Sequence, residues 1–368
     1  MEPVKIGILG VGAISGIYLQ NLTHLFREVE VLGVYDLFRE KCEKAQAEYH
    51  FPKIYDSQEA LLQDPEVQIV LNLTRPFEHY ETTKAALLAG KHVYSEKPLA
   101  ATYEQGKELV ALAREKGLML GGAPDTFLGS GIQTCRKLID DGYIGTPVGA
   151  AAFMICRGHE SWHPSPEFYY QFGGGPMMDM GPYYLTALVN LLGGVSSLTG
   201  VTKASFAQRT ITSEPKKGQV IQVEVPTHVT GIMNFENGAV GTILTTFDVH
   251  YDTQARLEIY GSEGTLSVPD PNGFGGPVKL LRPEDGSWKE IPLLFDYQEN
   301  SRGLGLADMA KALQTGRPFR ADCEQTLHVL EIMTGFEKSS REGRLLQLES
   351  RYTRKAPMHR GPVQGILD

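Results

Sequence analysis

Six residues near the start of the chain have the spacing of a phosphate-binding turn. The run GVGAIS, from Gly10 to Ser15, follows an apolar segment and precedes residues with helical periodicity. Gly10 would allow a tight turn, and Gly12 would let a pyrophosphate approach backbone N–H groups at a helix N-terminus. Serine in the last place is nearly as small as glycine and still allows close packing of helix on strand. We therefore expect this turn to bind a dinucleotide through Gly10, Gly12, Ala13 and Ile14.

Asp36 ends the next apolar run and follows Gly12 by 24 residues. A carboxylate in this place can accept hydrogen bonds from both ribose hydroxyls of a dinucleotide and would repel a 2′-phosphate. NAD is therefore favoured over NADP as the cofactor. Arg39 lies close by in the sequence and keeps NADP open. The competing phosphate-binding pattern, GxxxxGK[ST], does not occur in the sequence.

Lys97 lies in the run SEKP, directly after a predicted strand at residues 92–95. Ligands of doubly wound sheets collect at the carboxyl ends of the strands. A lysine there could hold a substrate hydroxyl beside a nicotinamide ring, and its charge would favour the alkoxide character that develops as hydride leaves. We therefore expect Lys97 to be catalytic and to bind substrate, and we expect Glu96 and Lys97 to contact the cofactor.

A second group of candidates begins with three consecutive glycines, Gly173 to Gly175, and continues to Asp179-Met-Gly-Pro-Tyr183. Residues four apart on a helix are neighbours, so Asp179 and Tyr183 could share a face and act together. Pro182 fits only the first turn of a helix, which would place Asp179 at the cap. In the structural alternative, Asp179 is an N-cap and Tyr183 a core aromatic side chain.

The segment between these groups is rich in aromatic and hydrogen-bonding side chains. A sugar presents alternating C–H faces and hydroxyls, so Trp162 could stack on it while His159 or His163 bonds to hydroxyls. The two histidines could also bind a metal with Asp179, but only one such spacing occurs, and we expect no metal. A surface aromatic loop without a ligand is the alternative.

Weaker candidates follow predicted strands or lie in polar loops, and a structural role is at least as plausible for each. Thr74, Arg75 and His79 follow the predicted strand that ends at residue 73, and a substrate contact is expected for Asp125. The other weak candidates are Asp248 and His250, which alternate along one strand, and Arg302.

Alternating strand and helix patterns would position the first group of residues. Apolar runs predict strands at residues 4–9, 29–35, 68–73 and 92–95, and helical periodicity predicts helices over residues 14–25, 78–89 and 103–116. Thr102 and Gln105 form a capping box before the last of these helices. This alternation predicts an α/β domain with a doubly wound parallel sheet, a Rossmann domain.

After about residue 146 the pattern becomes that of an antiparallel sheet. Asn237-Gly238 joins two strand-like runs, and Gly261 to Gly264 joins two more. We predict a C-terminal α+β domain with a largely antiparallel open sheet. The predicted division is 1–123 for the Rossmann domain, 124–350 for a substrate-binding and oligomerisation domain, and 351–368 for a C-terminal tail.

Composition excludes several classes of protein. The 368 residues, 42% hydrophobic and 21% charged, have the length of two or three globular domains. A net charge of −9 argues against nucleic acid or a membrane surface as a partner. We interpret one basic stretch as a solvated surface, and its residues are Arg351, Arg354, Lys355 and Arg360.

The cysteines and the N-terminal residues bear on the compartment. Four scattered cysteines, without a CxxC pair, predict reduced thiols, and they are Cys42, Cys135, Cys156 and Cys323. The sequence shows no secretory leader pattern and no apolar run of about 18 residues. We therefore expect a cytoplasmic protein.

Three ordered motifs resemble those of the Gfo/Idh/MocA family: the GxGxx turn, Glu96-Lys97-Pro98, and the segment from Gly173 to Tyr183. The resemblance spans residues 4 to about 345. It implies cofactor contacts for Thr74, Arg75 and His79. It implies a Rossmann domain and a second domain whose open sheet packs over the nicotinamide and often forms homodimers or homotetramers. It also implies NAD(P)-linked oxidation or reduction of a sugar, polyol or related secondary alcohol.

The family pattern ends in DxGxH, where the aspartate and the histidine act beside the lysine of the EKP motif. Tyr183 replaces the histidine here, as it does in the glucose-fructose oxidoreductase and dihydrodiol dehydrogenase branches. By this resemblance Tyr183 takes the acid/base role. A phenol has an ordinary pKa near 10, and a nearby ammonium would lower that pKa toward the working range.

The sequence therefore supports a dehydrogenase or reductase acting on CH–OH groups of a sugar, polyol or glycoside, with Lys97 and Tyr183 handling the proton. One alternative is an NAD-dependent glycosidase that oxidises a sugar carbon transiently and cleaves by elimination. Release of the aglycone from a nitrophenyl glycoside would favour it. Another alternative is a non-catalytic sensor of dinucleotide and sugar, which would bind NAD without turnover.

Overall fold

The computed structural model describes residues 2–250, 256–359 and 364–368. Its contacts divide the chain into two units built from segments that are not continuous in the sequence. The first unit is Met1–Gly129 with Phe295–Leu327 and Lys355–Asp368, and the second is Ser130–Leu294 with His328–Arg354.

Within the described residues the strands are β1 Val4–Leu9, β2 Val29–Tyr35, β3 Lys53–Ile54, β4 Ile69–Asn72, β5 His92–Ser95, β6 Leu120–Gly122, β7 Pro147–Ile155, β8 Val195–Lys203, β9 Gln208–Thr210, β10 Val220–Gln222, β11 His228–Phe235, β12 Val240–Thr246, β13 Arg256–Gly261, β14 Thr265–Val268, β15 Val278–Leu281, β16 Lys289–Ile291 and β17 Leu346–Gln347. The α-helices are α1 Ser15–His24, α2 Arg39–Tyr49, α3 Gln58–Gln63, α4 His79–Leu88, α5 Tyr103–Glu115, α6 Ser130–Asp140, α7 Pro176–Asp179, α8 Gly181–Leu192, α9 Leu304–Thr315 and α10 Cys323–Glu342.

The first unit contains a parallel sheet with the strand order β3-β2-β1-β4-β5-β6. Its central strands read as short continuous apolar runs because both of their faces are covered. The predicted strands at residues 4–9, 29–35 and 92–95 are confirmed, and the one at 68–73 shortens to β4. Thr102 caps α5, with Oγ1 accepting from the N–H of Gln105 at 3.2 Å. The reciprocal half of the predicted capping box does not form, because Oε1 of Gln105 has no hydrogen-bond partner among the described residues. The predicted Rossmann sheet is confirmed.

The strand order reverses between β1 and β4, where Leu9 pairs with Asn72. The chain runs outward from β1 to β3 on one side and from β4 to β6 on the other. A crevice forms at such a reversal, beyond the carboxyl ends of the strands. The loops that follow β1, β4 and β5 meet at this edge of the sheet, and they carry the first group of predicted site residues.

The second unit contains a sheet with the order β16-β15-β14-β13-β7-β12-β11-β8-β17 in the described residues. β7 and β12 pair in parallel, and all other neighbouring strands in this order pair antiparallel. Both predicted hairpins are confirmed: β11 and β12 flank Asn237-Gly238, and β13 and β14 flank Gly264. The largely antiparallel α+β class is therefore confirmed, with one parallel pair that the sequence did not reveal.

The two units differ from the predicted domains, which are the continuous ranges 1–123, 124–350 and 351–368. Those domain boundaries stay a prediction. Residues 295–327 pack with the first unit because Gly121 bridges to Asp322 and the N–H of Gly122 donates to Ala321 at 3.1 Å. The C-terminal residues pack there as well, since Leu367 donates its N–H to the buried Glu28 at 2.9 Å.

The basic stretch near the C-terminus is more ordered than a solvated surface. Arg354 pairs with Asp140 at 2.8 Å, and Lys355 pairs with Asp322 at 2.7 Å. Arg360 lies outside the described residues.

The four cysteines are free thiols, of which Cys42 and Cys135 are buried and the other two half-buried. No α-helix in the described ranges is both long and apolar enough to cross a bilayer.

Candidate functional site

The fold restricts the two glycines of the first turn to different degrees. Gly10 has a φ of +99°, and a Cβ there would lie 2.7 Å from the carbonyl oxygen of Leu73, so the backbone itself demands glycine. Gly12 is exposed, and a Cβ there would meet nothing within 4 Å. The fold does not need glycine at this second position, which leaves open space over the turn.

Asp36 ties the end of β2 to this turn. Its carboxylate accepts from the N–H of Val11 at 2.7 Å and from the N–H of Phe38 at 2.9 Å. Helix α1 begins at Ser15 without a side-chain cap, so its N-terminal N–H groups favour an anion. An uncapped helix end, open space over Gly12 and a carboxylate beside the turn fit a dinucleotide.

Arg39, which could favour NADP, already has acidic partners. Its guanidinium lies 2.6 Å from Asp56 and 3.2 Å from Glu43. All three side chains are exposed, so the pairs contribute little to stability and do not lock the arginine in place.

The loop after β4 is held by buried polar side chains. Asn72, which is fully buried, accepts from the N–H and the hydroxyl of Thr74 at 3.1 and 2.7 Å. His79 is 1% exposed, with Nδ1 2.7 Å from the carbonyl oxygen of Pro98 and Nε2 2.9 Å from that of Thr74. Burial lowers the pKa of His79. Because both ring nitrogens face backbone carbonyls, His79 connects two loops instead of presenting its ring to a cofactor.

The loop after β5 is fixed by Glu96. One carboxylate oxygen accepts from the Tyr18 hydroxyl at 2.7 Å and the other from the N–H of Lys97 at 2.9 Å. The carboxylate of Glu96 is thus occupied by the protein, and its backbone leads into the half-buried Lys97. Arg75, on the neighbouring loop, is exposed and pairs with Glu78 at 2.7 Å.

Asp125 is placed differently from a substrate-binding carboxylate. It is 1% exposed, and one of its oxygens accepts from the N–H groups of Gly303 and Gly305 at 2.8 and 3.0 Å. These amides lie at the start of α9, so Asp125 satisfies an otherwise unpaired helix end. Burial nevertheless raises the pKa of Asp125 to about 6. These contacts give the predicted substrate role no support.

The second unit brings His159 and Asp179 together, with Nε2 of the histidine 3.2 Å from Oδ2 of the aspartate. Trp162 is 61% exposed and meets His159 and His163 edge-on, with ring centroids 5.3 Å apart in each pair. Nδ1 of His163 accepts from the N–H of Ser165 at 3.0 Å, and burial lowers the pKa of His163. Three of the predicted substrate contacts therefore form one aromatic cluster beside Asp179.

The glycine run positions Asp179 against this cluster. The N–H of Gly175 donates to Tyr169 at 2.7 Å, and the N–H of Asp179 donates back to Gly175 at 2.9 Å. Asp179 is the last residue of α7, whereas Tyr183 lies in the first turn of α8 and is 7% exposed. The placement of Asp179 before the proline-containing turn agrees with the constraint that Pro182 imposes, so the two residues do not share one regular helix.

A buried network of ion pairs holds the segment that contains His159. Arg209 pairs with Glu160 and, at 3.0 Å, with Asp248. Tyr170 donates to Glu160, and Thr227 donates to Asp248 at 2.7 Å. Breaking a buried pair costs about 3–5 kcal/mol because a charge is left uncompensated. Asp248 is therefore a structural residue here.

The two remaining weak candidates also have protein partners. His250 accepts from Nε of Arg157 at 2.9 Å, and Arg302 donates to Asn300 at 2.8 Å. No group of three or more potential metal ligands occurs in the part of the chain that the structure describes.

Sequence reasoning missed the buried polar residues that hold the site loops. Asn72 and Tyr18 support the first group, and Glu160 and Arg209 support the second. Asn72 carries a readable signal, since it is a polar residue at the end of the apolar run Ile69-Val-Leu. Arg209 carries none, because its partners lie 39 and 49 residues away.

Comparison with known families decides the relationship. Residues 4–122 match the oxidoreductase family with an NAD-binding Rossmann fold, and residues 132–267 match the GFO/IDH/MocA C-terminal domain. The chain belongs to the Gfo/Idh/MocA family of oxidoreductases. The predicted family is thus confirmed over most of both units.

Relatives in this Gfo/Idh/MocA family are distant in sequence. The inositol 2-dehydrogenase/D-chiro-inositol 3-dehydrogenase of Lacticaseibacillus casei is 24% identical, over 75% of this chain and 74% of that protein. The scyllo-inositol 2-dehydrogenase (NADP(+)) of Bacillus subtilis is 22% identical, over 95% of this chain and 97% of that protein. Levoglucosan dehydrogenase, solved with NADH and L-sorbose, shares the fold with a TM-score of 0.81 at 20% identity, over 94% of this chain and 99% of that one.

The two turn glycines should respond differently to substitution. Gly12→Val should leave the unfolding temperature close to that of the wild type but weaken NADH binding at least about tenfold, because its side chain enters the space for the pyrophosphate. Gly10→Ala should destabilise the fold by about 1–2 kcal/mol or more through its left-handed backbone. Thermal unfolding and NADH fluorescence titration measure the two effects. Wild-type binding by Gly12→Val would show that the pyrophosphate does not lie there.

Asp125→Asn should remove a specific pH dependence of stability. Burial raises the pKa of Asp125 from an ordinary value of 3.8, which applies to the unfolded chain, to about 6 in the folded protein. The folded protein therefore binds this proton more tightly than the unfolded chain does. The contribution of Asp125 to the free energy of unfolding is therefore complete below about pH 4. It falls by roughly 3 kcal/mol as the pH rises to 6. The asparagine of the variant resembles the protonated form of Asp125. The variant should therefore have the same free energy of unfolding as the wild type near pH 4 and a higher one at pH 7.

Urea unfolding of both proteins from pH 4 to pH 7.5 measures that difference. Asp64→Asn is a control of opposite sign, because Lys53 lowers the pKa of Asp64 to about 2, and its contribution is lost as pH falls. A stability difference between wild type and Asp125→Asn that does not change with pH would contradict the assignment.

Proposed function

We propose that this oxidoreductase transfers a hydride between a nicotinamide cofactor and a secondary alcohol or ketone of a sugar, polyol or glycoside. One observation carries the proposal: the open turn over Gly12 and the loop of Lys97 follow strands of one parallel sheet and lie at the same edge. The named relatives support the class of substrate, since two of them are inositol dehydrogenases.

In this proposal the first unit holds the cofactor. Backbone N–H groups of Gly12, Ala13 and Ile14 meet the pyrophosphate, and Asp36 accepts from the ribose hydroxyls. When bound, the nicotinamide supplies or accepts the hydride. NAD is the favoured cofactor because a 2′-phosphate would meet the carboxylate of Asp36, although one relative is named for NADP.

The remaining residues act on the substrate. Lys97 holds the reacting hydroxyl and stabilises its developing negative charge, and Tyr183 accepts the proton in oxidation or returns it in reduction. Asp179 acts beside Tyr183. Trp162 offers an exposed aromatic face to the C–H surface of a sugar, while His159 and His163 lie in the same cluster. We also propose a cytoplasmic location and a homodimer or homotetramer.

Lys97→Met should test the reaction. With NAD or NADP and a panel of inositols, aldoses, polyols and glycosides, the wild type should reduce cofactor with at least one substrate, followed by absorbance. Lys97→Met should lower kcat by about 10²–10⁴-fold, because the group that stabilises the alkoxide is lost, while NADH binding is retained. Lys137→Met is a matched control, since Lys137 is half-buried like Lys97 and pairs with Asp141 at 2.7 Å.

Two results would overturn the proposal. Turnover of no panel member by a folded, NADH-binding protein would exclude the substrate class. Full activity of Lys97→Met on a productive substrate would exclude the role of the lysine. Release of aglycone from a nitrophenyl glycoside at catalytic NAD, without net cofactor reduction, would point to the glycosidase reaction.

A further inference from the structure

His159 and Asp179 form a partly enclosed histidine–carboxylate pair in the second unit. Their closest atoms, Nε2 and Oδ2, lie 3.2 Å apart although the residues are 20 positions apart in the sequence. Their side chains are 12% and 15% exposed. No spacing rule for a helix or a strand predicts this contact, so it arises from how the aromatic segment folds against α7.

Several contacts restrain the imidazole of His159. Gly158 has a φ of +95° and would place a Cβ against the Tyr170 hydroxyl, while the buried Glu160 is held by Arg209. The ring itself packs against Tyr169 and Phe247, with centroids 4.0 and 4.7 Å away. Its two chain neighbours and the two aromatic rings thus limit the freedom of His159 beside Asp179.

The surroundings of the ring select one tautomer. Nδ1 of His159 is buried and has no hydrogen-bond partner among the described residues. A proton on Nδ1 would therefore be a buried donor without an acceptor, which is unfavourable. A proton on Nε2 is instead donated to the carboxylate of Asp179. The arrangement favours a hydrogen on Nε2 that is donated to Asp179.

We infer that His159 is the positioning residue of Asp179. The inference rests on the proposed function, in which Asp179 acts on the substrate hydroxyl beside Tyr183. The sequence has a tyrosine at position 183 where DxGxH has histidine, and the fold supplies an imidazole to the same aspartate from the segment after β7. His159 acts through Asp179, since its own Nδ1 is enclosed by protein.

Three substitutions separate this role from the alternatives. The amide nitrogen of His159→Gln reaches about as far as Nε2 and can still donate to Asp179, whereas that of His159→Asn reaches only to the place of Nδ1. His159→Phe keeps the ring packing and removes the donor. We expect Asn and Phe to lower kcat about 10- to 100-fold, the effect of losing a hydrogen bond to a charged group, and Gln to restore it to within about fivefold.

The binding of NADH should be unchanged in all three variants, and their unfolding temperatures show whether each is folded. His228→Gln and His228→Asn are matched controls, because His228 lies in the same unit and its ring bonds to the hydroxyl of Thr246 at 3.1 Å. If Gln is as damaging as Phe, the imidazole itself is required and the positioning role is wrong. If all three variants keep wild-type kcat, the contact has no functional role and the inference is also wrong.

A second measurement is independent of activity. Nitrogen-15 NMR of labelled histidines reports the tautomer of each ring, and the His159 signal is assigned by its loss in His159→Gln. We expect a ring that carries its hydrogen on Nε2 and whose signals shift in Asp179→Asn. A ring protonated at Nδ1, or one insensitive to Asp179→Asn, would overturn the pairing. If the wild type turns over no substrate, the proposed function fails while this measurement still decides the pairing.

Discussion

A single buried amide, the side chain of Asn72, organises the edge of the parallel sheet where the candidate site lies. Its oxygen accepts two hydrogen bonds from Thr74, and its nitrogen donates to the carbonyl of His79 and to the hydroxyl of Thr83. Its backbone carbonyl accepts from the N–H of Glu96 at 2.8 Å. A buried amide that lost one of these partners would carry the cost of an unsatisfied polar group. The side chain of Asn72 therefore fixes the loop after β4. The backbone carbonyl of the same residue holds the start of the loop after β5, which leads to Lys97.

Features with a local physical cause could be predicted from the sequence. Apolar runs located β1 and β5, a hydroxyl cap located the start of α5, and an Asn-Gly pair located the hairpin of β11 and β12. The return of residues 295–327 and of the C-terminus to the first unit could not be predicted in this way. Such packing depends on contacts like that between Leu367 and Glu28, 339 positions apart, for which no local periodicity exists.

At the candidate site the residue types were predictable and the side-chain directions were not. His79 and Asp125 follow strands of the sheet, as ligand-binding residues do, but both are buried and bond to backbone groups. A polar residue after a strand has the same sequence pattern whether it points into the protein or into a crevice. The contact of His159 with Asp179 was equally hidden, because it depends on the glycine run approaching the backbone of Tyr169.

In the first unit, backbone N–H groups contribute more to the attraction for a dinucleotide than charged side chains do. The turn GVGAIS contains no cationic side chain, and the nearby Arg39 and Arg75 are each paired with acidic residues. The attraction for a pyrophosphate then comes from the N-terminal N–H groups of α1, equivalent to roughly half a positive charge that acts only over about one turn. Such a short-range attraction is effective only if the phosphate comes very near the backbone. In the proposed cofactor site, the missing Cβ of Gly12 would allow this close approach, and the carboxylate of Asp36 would add selectivity at the ribose.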